Sequence, residues 1–328
     1  MPYCVMFDHS CVINPGGAVR PCCHYEQEET WKYYEDGWYE KHQELGKLMA
    51  STDTYIDECR ECQSRIDRGQ QPFNELYNSK FSNSQGIVHW DLKLNNTCNL
   101  TCKMCDSWNS SSWEGLLNKN PQISSSLREI YQQNISQRWH KDISSIFPYL
   151  IFAKQLKFTG GEPFMIPQVW KIIDYVIQED ISPALTLSFT TNGTFDMLDK
   201  WDLYKHFKHV TFNISVDAVG ERYEYIRQGS SWSNVEKNIK AIAKKSKGTN
   251  VTLNLDTVRM CLNKDNLKEI TDFANSIGIE HKVDVDCVDP DIYSPDALEN
   301  QTLKTKLIST LKELDKIHGT DYRKFINA

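Results

Sequence analysis

Residues 98–105 of the chain read CNLTCKMC, with three cysteines in the spacing C-x3-C-x2-C. Three thiolates so close together on one loop can bind three irons of a cubic [4Fe–4S] cluster. The sequence has no fourth cysteine nearby, so one iron of such a cluster keeps an open position. We therefore predict that Cys98, Cys102 and Cys105 are metal ligands and form the catalytic centre. Zinc is the alternative metal, but the loop lacks the paired C-x2-C spacing of a zinc ribbon and has no histidine beside it.

The stretches around this loop predict a parallel α/β fold. Alternating apolar residues predict six strands, at 87–95, 155–159, 185–190, 210–216, 251–258 and 281–288. Helical patterns lie between most of them, and Ser233 with Glu236 predicts a capping box at the start of one helix. Strands joined by helices form right-handed βαβ units. Six units are fewer than the eight of a closed barrel, so we expect an α/β fold with a partial (β/α)6 TIM-like barrel.

The composition excludes some classes of function. Hydrophobic residues make up 40% of the chain and charged residues 25%, which is ordinary for a globular protein. The longest apolar run, 149–153, is far shorter than a membrane span of roughly 20 residues, and residues 1–10 do not resemble a signal peptide. We therefore expect a cytoplasmic protein without a membrane partner. The net charge of −7 makes a nucleic-acid partner unlikely, because phosphate binding needs clustered Lys and Arg.

A second group of cysteines lies in the first 62 residues, which hold six of the eleven. In a reducing cytosol, grouped cysteines are more often metal ligands than disulfides. Two short β-like runs flank the turn Pro15-Gly16-Gly17, with one cysteine before this hairpin, one after it, and a C-x2-C pair downstream. The predicted ligands of this second metal are Cys4, Cys22, Cys59 and Cys62. Cys23 is an alternative to Cys22, and Cys11 is expected to be a packed apolar residue.

These patterns divide the chain into three parts. Residues 1–85 are expected to form a small cysteine-rich domain and residues 86–290 the partial barrel. Residues 291–328 are expected to be a C-terminal helical segment, with its leucines on one face: Leu303, Leu307, Leu311 and Leu314.

The spacing C-x3-C-x2-C closely resembles the signature of the radical S-adenosylmethionine (SAM) superfamily. Gly160-Gly161-Glu162-Pro163, after the second predicted strand, is similar to the GGEP motif of that family. The resemblance implies that SAM chelates the open iron through its amino and carboxylate groups. An electron from the reduced cluster then breaks a carbon–sulfur bond and leaves a 5′-deoxyadenosyl radical, which can take a hydrogen from an unactivated C–H bond.

The same resemblance implies a set of SAM-contacting residues at the ends of the predicted strands. These residues are Met104, Gly160, Gly161, Glu162, Pro163, Thr190, Asn192, Ser215, Asp217 and Arg227. Met104 stands where family members commonly have an aromatic residue near the adenine. Nearly all of these positions follow or end a predicted strand, and the carboxyl ends of parallel strands form the edge at which active sites are built.

The N-terminal cysteines resemble the auxiliary modules of SPASM-type and twitch domain-containing radical SAM proteins, which open with C-x(9–15)-G-x4-C. Here Cys4, Gly17 and Cys22 match that opening, although the module precedes the barrel instead of following it. The resemblance implies a second, fully ligated [4Fe–4S] cluster and an external electron donor such as flavodoxin or ferredoxin. A structural zinc is the alternative, because zinc and iron–sulfur sites share thiolate ligands.

A second cluster near the site favours an oxidation, because it can accept an electron from a substrate radical. The leading hypothesis is therefore a radical SAM enzyme that oxidatively modifies or cross-links a peptide or protein. The alternative is dehydrogenation of a sugar, aminocyclitol or nucleoside. A hypothesis of another class is a non-catalytic iron–sulfur or zinc protein that carries electrons or binds a partner.

Overall fold

One sheet of eight strands organises residues 3–26, 31–52, 54–133 and 142–326, which the computed structural model describes. Its order is β10-β9-β7-β6-β5-β3-β1-β2, and a two-stranded ladder of β4 and β8 lies apart from it. The strands are β1 (Ser10–Ile13), β2 (Val19–Arg20), β3 (His89–Leu92), β4 (Thr101–Cys102), β5 (Gln155–Phe158), β6 (Thr186–Thr191), β7 (His209–Ser215), β8 (Arg227–Gln228), β9 (Val251–Arg259) and β10 (Glu280–Asp286).

Helices connect most of these strands. They are α1 (Met6–His9), α2 (Trp38–Ser51), α3 (Arg60–Asp67), α4 (Phe73–Phe81), α5 (Ser111–Lys119), α6 (Ser125–Tyr131), α7 (Pro167–Gln178), α8 (Trp201–Tyr204), α9 (Gly220–Ile226), α10 (Trp232–Ser246), α11 (Leu267–Ile277) and α12 (Gln301–His318). The six predicted strands correspond to β3, β5, β6, β7, β9 and β10, and each pairs in parallel with its neighbour. The α/β class with a mostly parallel sheet is therefore confirmed, and it is consistent with a partial barrel.

The N-terminal hairpin extends this sheet, which the sequence did not predict. β1 pairs in parallel with β3, from Ser10 opposite His89 to Ile13 opposite Leu92, and β2 pairs antiparallel with β1. All four residues of β1 are buried, so its pattern carries no alternation that would place it in a sheet. The domain boundary at residue 85 stays a prediction, but the sheet runs across it.

The sheet has one apolar face, which the helices cover. Leu187 and Phe189 of β6 and Phe212 of β7 lie in the same core as Ile172 of α7 and Ile239 of α10. Burial alternates along β5, β6, β7 and β9, and the intervening positions, apart from Val258, are polar and mostly half-buried. The second face of this parallel sheet is therefore polar, whereas parallel strands are usually apolar on both sides.

The N-terminal segment approaches this polar face at the starts of β3 and β5. The ring of Phe81, at the end of α4, lies 5.9 Å from the ring of His89. Next to it, Nζ of Lys80 lies 3.5 Å from Oε1 of Gln155. The cysteine-bearing segment and the polar face of the sheet therefore face each other.

Two details of the helices complete the comparison with the sequence. The capping box predicted at Ser233 and Glu236 is wrong, because α10 begins at Trp232 after Ser231, and the Trp232 N–H donates to Glu224 at 2.8 Å. In α12 the leucines at 307, 311 and 314 are buried as expected.

No helix in the described part of the chain is long and apolar enough to cross a membrane.

Candidate functional site

The loop with three cysteines is held against the end of α9 by a short ladder. Cys102 of β4 pairs with Arg227 of β8. The Lys103 N–H donates to the Ile226 carbonyl at 2.9 Å, and the Cys105 N–H donates to the Cys102 carbonyl at 3.0 Å. The loop therefore has a fixed backbone path, with Arg227 beside the second cysteine.

The start of α5 holds the same loop from the other side. Ser111 Oγ accepts from the Cys98 N–H at 3.1 Å, and Ser112 Oγ donates to the Cys98 carbonyl at 2.8 Å. Nε1 of the fully buried Trp113 donates to the Cys102 carbonyl at 3.0 Å. Side-chain hydrogen bonds from one helix therefore fix the backbone of two of the three cysteines.

The three thiols lie close enough to influence one another. Burial raises the pKa of Cys102 to about 12, Arg227 opposes this rise, and Cys98 adds to it. Burial also raises the pKa of Cys105 well above its usual range, and the pKa is raised further by Cys102 and Cys98. Buried thiols in a group keep their protons unless a metal binds them, and metal binding releases those protons. The donor set thus fits an iron–sulfur cluster with three protein ligands.

Gly160 and Gly161 bring the loop after β5 into contact with the cysteine loop. Both have positive φ, at 72° and 45°. A Cβ on Gly161 would lie 2.4 Å from the Thr97 carbonyl oxygen, and one on Gly160 would lie 1.9 Å from Cγ of Lys93. The Glu162 N–H donates to the same Thr97 carbonyl at 2.7 Å. Only glycine therefore allows this approach of the two loops.

The carboxylate of Glu162 joins the loop after β5 to the loop after β6. Its Oε1 accepts from Thr191 Oγ1 at 2.8 Å and from the Phe164 N–H at 3.2 Å, and its Oε2 accepts from the Asn192 N–H at 2.8 Å. The side chain is fully buried, and burial raises its pKa to about 7 although these donors oppose the rise. Glu162 therefore positions Asn192; its predicted contact with SAM stays a prediction.

Asn192 in turn reaches the cysteine loop. Its Nδ2 donates to Oδ1 of Asn99 at 2.9 Å and lies 3.9 Å from Sγ of Cys98. Its Oδ1 accepts from the Thr194 N–H at 3.0 Å. The structure thus brings the predicted residue Asn192 next to the first of the three cysteines.

Asp217 and Arg227 form a buried ion pair. Nη2 of Arg227 lies 2.7 Å from Oδ2 of Asp217, and Oδ1 of Asp217 accepts from the Val258 N–H at 3.0 Å. Nε of Arg227 is buried and has no hydrogen-bond partner among the described residues. A buried guanidinium with an unused donor is suited to a carboxylate, so Arg227 fits the carboxylate of SAM.

The remaining predicted residues lie at the same end of the sheet. Thr190 is half-buried on β6 beside Asn213, and Ser215 is the last residue of β7. Pro163 is buried in the turn that follows Glu162, and Met104 packs against the main core. Their contacts with SAM stay predictions.

Three of the four predicted ligands of the N-terminal site share one small core, in which Cys4 is buried and against which Cys22 and Cys59 pack. Burial raises the pKa of Cys4 to about 12, and Cys59 and Cys62 raise it further. Burial raises the pKa of Cys22 well above its usual range, with further contributions from Cys4 and Cys62. The backbone N–H groups of two residues at the start of α4 lower the pKa of Cys62 against this trend. Such N–H groups stabilise a thiolate and are one of the means by which proteins tune iron–sulfur clusters.

Cys22 and Cys23 differ in their surroundings. Cys22 has Cys4 and Cys62 as neighbours, whereas the charged neighbours of the exposed Cys23 are Asp91 and Lys157 on the polar face of the sheet. This supports Cys22 as the ligand. Cys11 is fully buried in the main core, apart from the smaller core that contains Cys4.

No three His, Cys, Asp or Glu side chains in the described ranges converge closely enough to hold a single metal ion. In a cubic [4Fe–4S] cluster each thiolate binds a different iron, so the thiols of such a site do not have to converge on one point.

Lys93 and Trp113 were not predicted from the sequence, and neither was the bond of Thr191, in the predicted turn Thr191-Asn192-Gly193, to Glu162. Lys93 follows β3, is half-buried, and its Nζ donates to Oδ1 of Asn109. Thr191, next to the predicted Thr190, binds Glu162, and Trp113 binds the cysteine loop. The alternation of β6 is the signal that could have found Thr191, because it assigns residues 190 and 191 to opposite faces.

A model of the Radical SAM superfamily matches residues 92–276, more than half of the chain. The match covers the cysteine loop, the Gly-Gly-Glu-Pro turn and the strands up to β9. No curated protein sequence matches the chain.

Several solved structures are similar at low identity. Native anSMEcpe with bound AdoMet is 16% identical, with 69% of this chain and 60% of that chain covered and a TM-score of 0.42. SuiB from Streptococcus suis is 14% identical, with 85% and 59% covered and a TM-score of 0.37. TYW1 with a lysine-pyruvate adduct is 15% identical, with 84% and 89% covered and a TM-score of 0.36. The chain spans about three-fifths of the anSMEcpe structure, and likeness at this level does not bear on the site.

Replacing Gly161 with alanine is expected to disrupt the cysteine loop. The new Cβ would meet the Thr97 carbonyl at 2.4 Å, and the positive φ is unfavourable for alanine. We expect G161A to lose at least half of its iron after anaerobic reconstitution, as measured by iron analysis per folded protein.

The matched control is Gly115→Ala in α5, where a Cβ meets nothing within 4 Å. We expect G115A to bind as much iron as the wild type and to be slightly more stable, since alanine favours a helix over glycine. Equal iron contents in G161A and G115A would contradict the assigned role of Gly161.

Glu162 is expected to make stability depend on pH. The folded protein keeps its proton up to about pH 7, whereas an unfolded Glu releases it near 4.5. The free energy of unfolding therefore falls as pH rises through this window, by up to roughly 3 kcal/mol. Glu162→Gln cannot titrate, so thermal melts of reconstituted protein at about pH 5 and about pH 8 should show a smaller loss of stability in E162Q than in the wild type.

The control for this measurement is Glu114→Gln on the exposed side of α5. It should follow the wild type at both pH values. The same pH dependence in E162Q as in the wild type would show that Glu162 does not hold its proton in the folded state.

Proposed function

The chain belongs to the radical SAM superfamily, and on that premise we propose that it cleaves SAM reductively and uses the resulting 5′-deoxyadenosyl radical to take a hydrogen from a substrate. One observation carries the proposal: three separate loops at one end of the sheet meet at the C-x3-C-x2-C segment. Gly161 touches it through Thr97, Asn192 reaches Cys98, and Arg227 pairs with Cys102. When bound, the cluster supplies the electron that breaks the carbon–sulfur bond and SAM supplies the radical.

The protein's own residues would hold and orient these groups. Cys98, Cys102 and Cys105 would hold three irons as thiolates. Arg227 would offer its unused Nε donor to the SAM carboxylate, and the ion pair with Asp217 fixes the direction of the guanidinium. Because this pair is buried, its charges are little screened by water.

Glu162 and Asn192 would shape the place where SAM lies. The Glu162 carboxylate fixes the Asn192 backbone, and the Asn192 amide group bonds to the cysteine loop. The loops after β5 and β6 are therefore joined to the loop that carries the proposed cluster ligands. A SAM molecule seated between them would keep its orientation toward the cluster.

For the N-terminal cysteines we propose a second [4Fe–4S] cluster held by Cys4, Cys22, Cys59 and Cys62. Cys22 and Cys59 pack against the small core that contains Cys4, which supports a shared site, and the contacts of this segment with His89 and Gln155 on the polar face support a role next to the substrate. Such a cluster can take one electron from a substrate radical. We therefore propose that the reaction is an oxidation, with oxidative modification of a peptide or protein as the first candidate and dehydrogenation of a sugar, aminocyclitol or nucleoside as the second.

The reaction needs an external donor for the first electron, such as flavodoxin or ferredoxin. None of the eleven cysteines, all of which lie in the described ranges, forms a disulfide. We propose a cytoplasmic location, because grouped cysteines in a reducing compartment more often bind metals than pair with one another.

The test of SAM cleavage is anaerobic. Reconstituted and reduced protein is given SAM, and 5′-deoxyadenosine is quantified by LC-MS. We expect product from the wild type and none from the Cys98→Ala/Cys102→Ala/Cys105→Ala variant. Absence of product from the wild type, together with absence of SAM binding, would favour a non-catalytic iron–sulfur protein instead.

The auxiliary site is tested by counting iron. We expect about eight irons in the wild type and about four in the Cys4→Ala/Cys22→Ala/Cys59→Ala/Cys62→Ala variant. Cys261→Ala, which changes a cysteine outside both groups, should keep the wild-type number. Stoichiometric zinc in protein purified without air would favour a structural zinc at this site.

A further inference from the structure

We propose that the substrate presents hydroxyl or amide groups to a set of polar side chains on the open face of the sheet, and that aromatic or aliphatic substrate groups are excluded there. This inference rests on the proposed function and adds the chemical class of the substrate. The side chains concerned, called the polar grid below, are Lys157 of β5, Ser188 and Thr190 of β6, Thr211 and Asn213 of β7, and Asn254 of β9.

The polar grid forms two rows across the strands. In the first row, Lys157 pairs with Ser188 and Ser188 pairs with Thr211. In the second row, Thr190 pairs with Asn213 and Asn213 pairs with Asn254. Residues paired in this way have neighbouring side chains on the same face. The grid is thus a continuous surface and not a scatter of polar residues.

This surface is accessible. All six residues of the grid are half-buried, while the residues between them in the sequence are buried under the helices. The side chain of Lys157 is 40% exposed although it pairs with Asp91 at 2.8 Å. A parallel sheet that used this face only for packing would carry apolar residues there.

The grid has hydrogen-bonding groups to spare. Nδ2 of Asn254 donates to Oδ1 of Asn213 at 2.9 Å, and Nδ2 of Asn213 donates to Oγ of Ser188 at 3.3 Å. Each amide keeps a second N–H, and the Ser188 hydroxyl keeps its own hydrogen to donate. The internal bonds orient these groups, so a ligand meets donors and acceptors that are already in place.

The grid lies directly below the end of the sheet proposed to bind SAM, and Thr190, which is also a predicted SAM contact, stands at the boundary between the two surfaces. Lys157 precedes Gly160 by three residues, Thr190 precedes Asn192 by two, and the strands rise about 3.3 Å per residue. A substrate on the grid is therefore about 7–10 Å from the loops proposed to hold SAM. A substrate that is bound on the grid and long enough to cross this distance would bring a C–H bond into contact with the proposed radical.

The opposite side of this space is formed by the N-terminal segment. The ring of Phe81 lies 5.9 Å from the ring of His89, and Nζ of Lys80 lies 3.5 Å from Oε1 of Gln155, so this segment borders the polar face at β3 and β5. A substrate on the grid would therefore lie between the two cysteine sites.

The grid would discriminate against apolar substrate groups, because they would leave its hydroxyl and amide groups without hydrogen-bond partners. An aliphatic or aromatic group pressed onto it would remove water from hydroxyl and amide groups without replacing the hydrogen bonds, which is unfavourable. A hydroxyl- or amide-bearing group replaces those bonds. Sites built to hydrogen-bond a substrate reject apolar analogues strongly for this reason.

The test follows deuterium from substrate into 5′-deoxyadenosine, with unlabelled SAM and the reconstituted full chain. Three probes come from one fully deuterated bacterial lysate: hydrophilic metabolites, hydrophilic peptides from a tryptic digest, and apolar peptides retained on a reversed-phase column. We expect 5′-deoxyadenosine to take up deuterium from one of the two hydrophilic probes, in an amount at least tenfold greater than from the apolar probe. Transfer from the metabolites identifies a small molecule, and transfer from the hydrophilic peptides identifies a polar peptide.

The variant Asn213→Leu removes the centre of the second row, and Asn275→Leu makes the same change on the exposed side of α11. The measured quantity is the deuterated fraction of 5′-deoxyadenosine, which does not depend on how much protein is folded. We expect at least a tenfold decrease in N213L and no change in N275L.

Deuterium chiefly from the apolar peptides, an unchanged fraction in N213L, or 5′-deoxyadenosine without deuterium from either hydrophilic probe would overturn this inference. In each of these cases SAM cleavage still occurs. Failure of the proposed function is a different result, in which no 5′-deoxyadenosine forms at all.

Discussion

The contact between Gly161 and Thr97 is the constraint on which the candidate site depends. It lets the turn after β5 lie directly against the cysteine loop, where the Glu162 N–H binds the Thr97 carbonyl at 2.7 Å. From this position the Glu162 carboxylate holds the Asn192 backbone. Three loops from three strands are thereby fixed relative to one another by backbone contacts and one buried carboxylate. A buried carboxylate of this kind is costly unless it is bonded or protonated, so its presence indicates that the junction matters.

The two faces of the sheet have different roles: one stabilises the fold, and the other is proposed to bind the substrate. The helices bury the apolar side chains of one face, and that core supplies the hydrophobic stabilisation of the fold. The other face keeps polar side chains at the alternate positions of the same strands. One alternating pattern therefore sets both the core and the surface offered to a ligand. The loops at the carboxyl ends of those strands add the groups that could bind SAM.

Much of the fold and of the site could be predicted, because both depend on local signals. The six parallel strands follow from alternation, and the cysteine spacing and the Gly160-Gly161 pair mark the strand ends. Strand β1 could not be placed in the sheet, since SCVI is buried throughout and its partner β3 is distant in sequence. The pairing of Asp217 with Arg227 and of Thr191 with Glu162 depends on tertiary distances, which a single sequence does not contain. The start of α10 was missed because Glu224, from the preceding helix, caps it.

The parallel pairing of β1 with β3 also sets an order of assembly. During synthesis Cys4 and Cys22 leave the ribosome early, but the hairpin between them gains its place in the sheet only after His89 to Leu92 have been made. Closing so long a loop carries an entropic cost that local pairs do not. The N-terminal thiols therefore acquire their final spacing late, and any metal that binds all four would reinforce the edge of the sheet at that stage. On our proposal of a metal at these four cysteines, binding of that metal and completion of the sheet would be coupled.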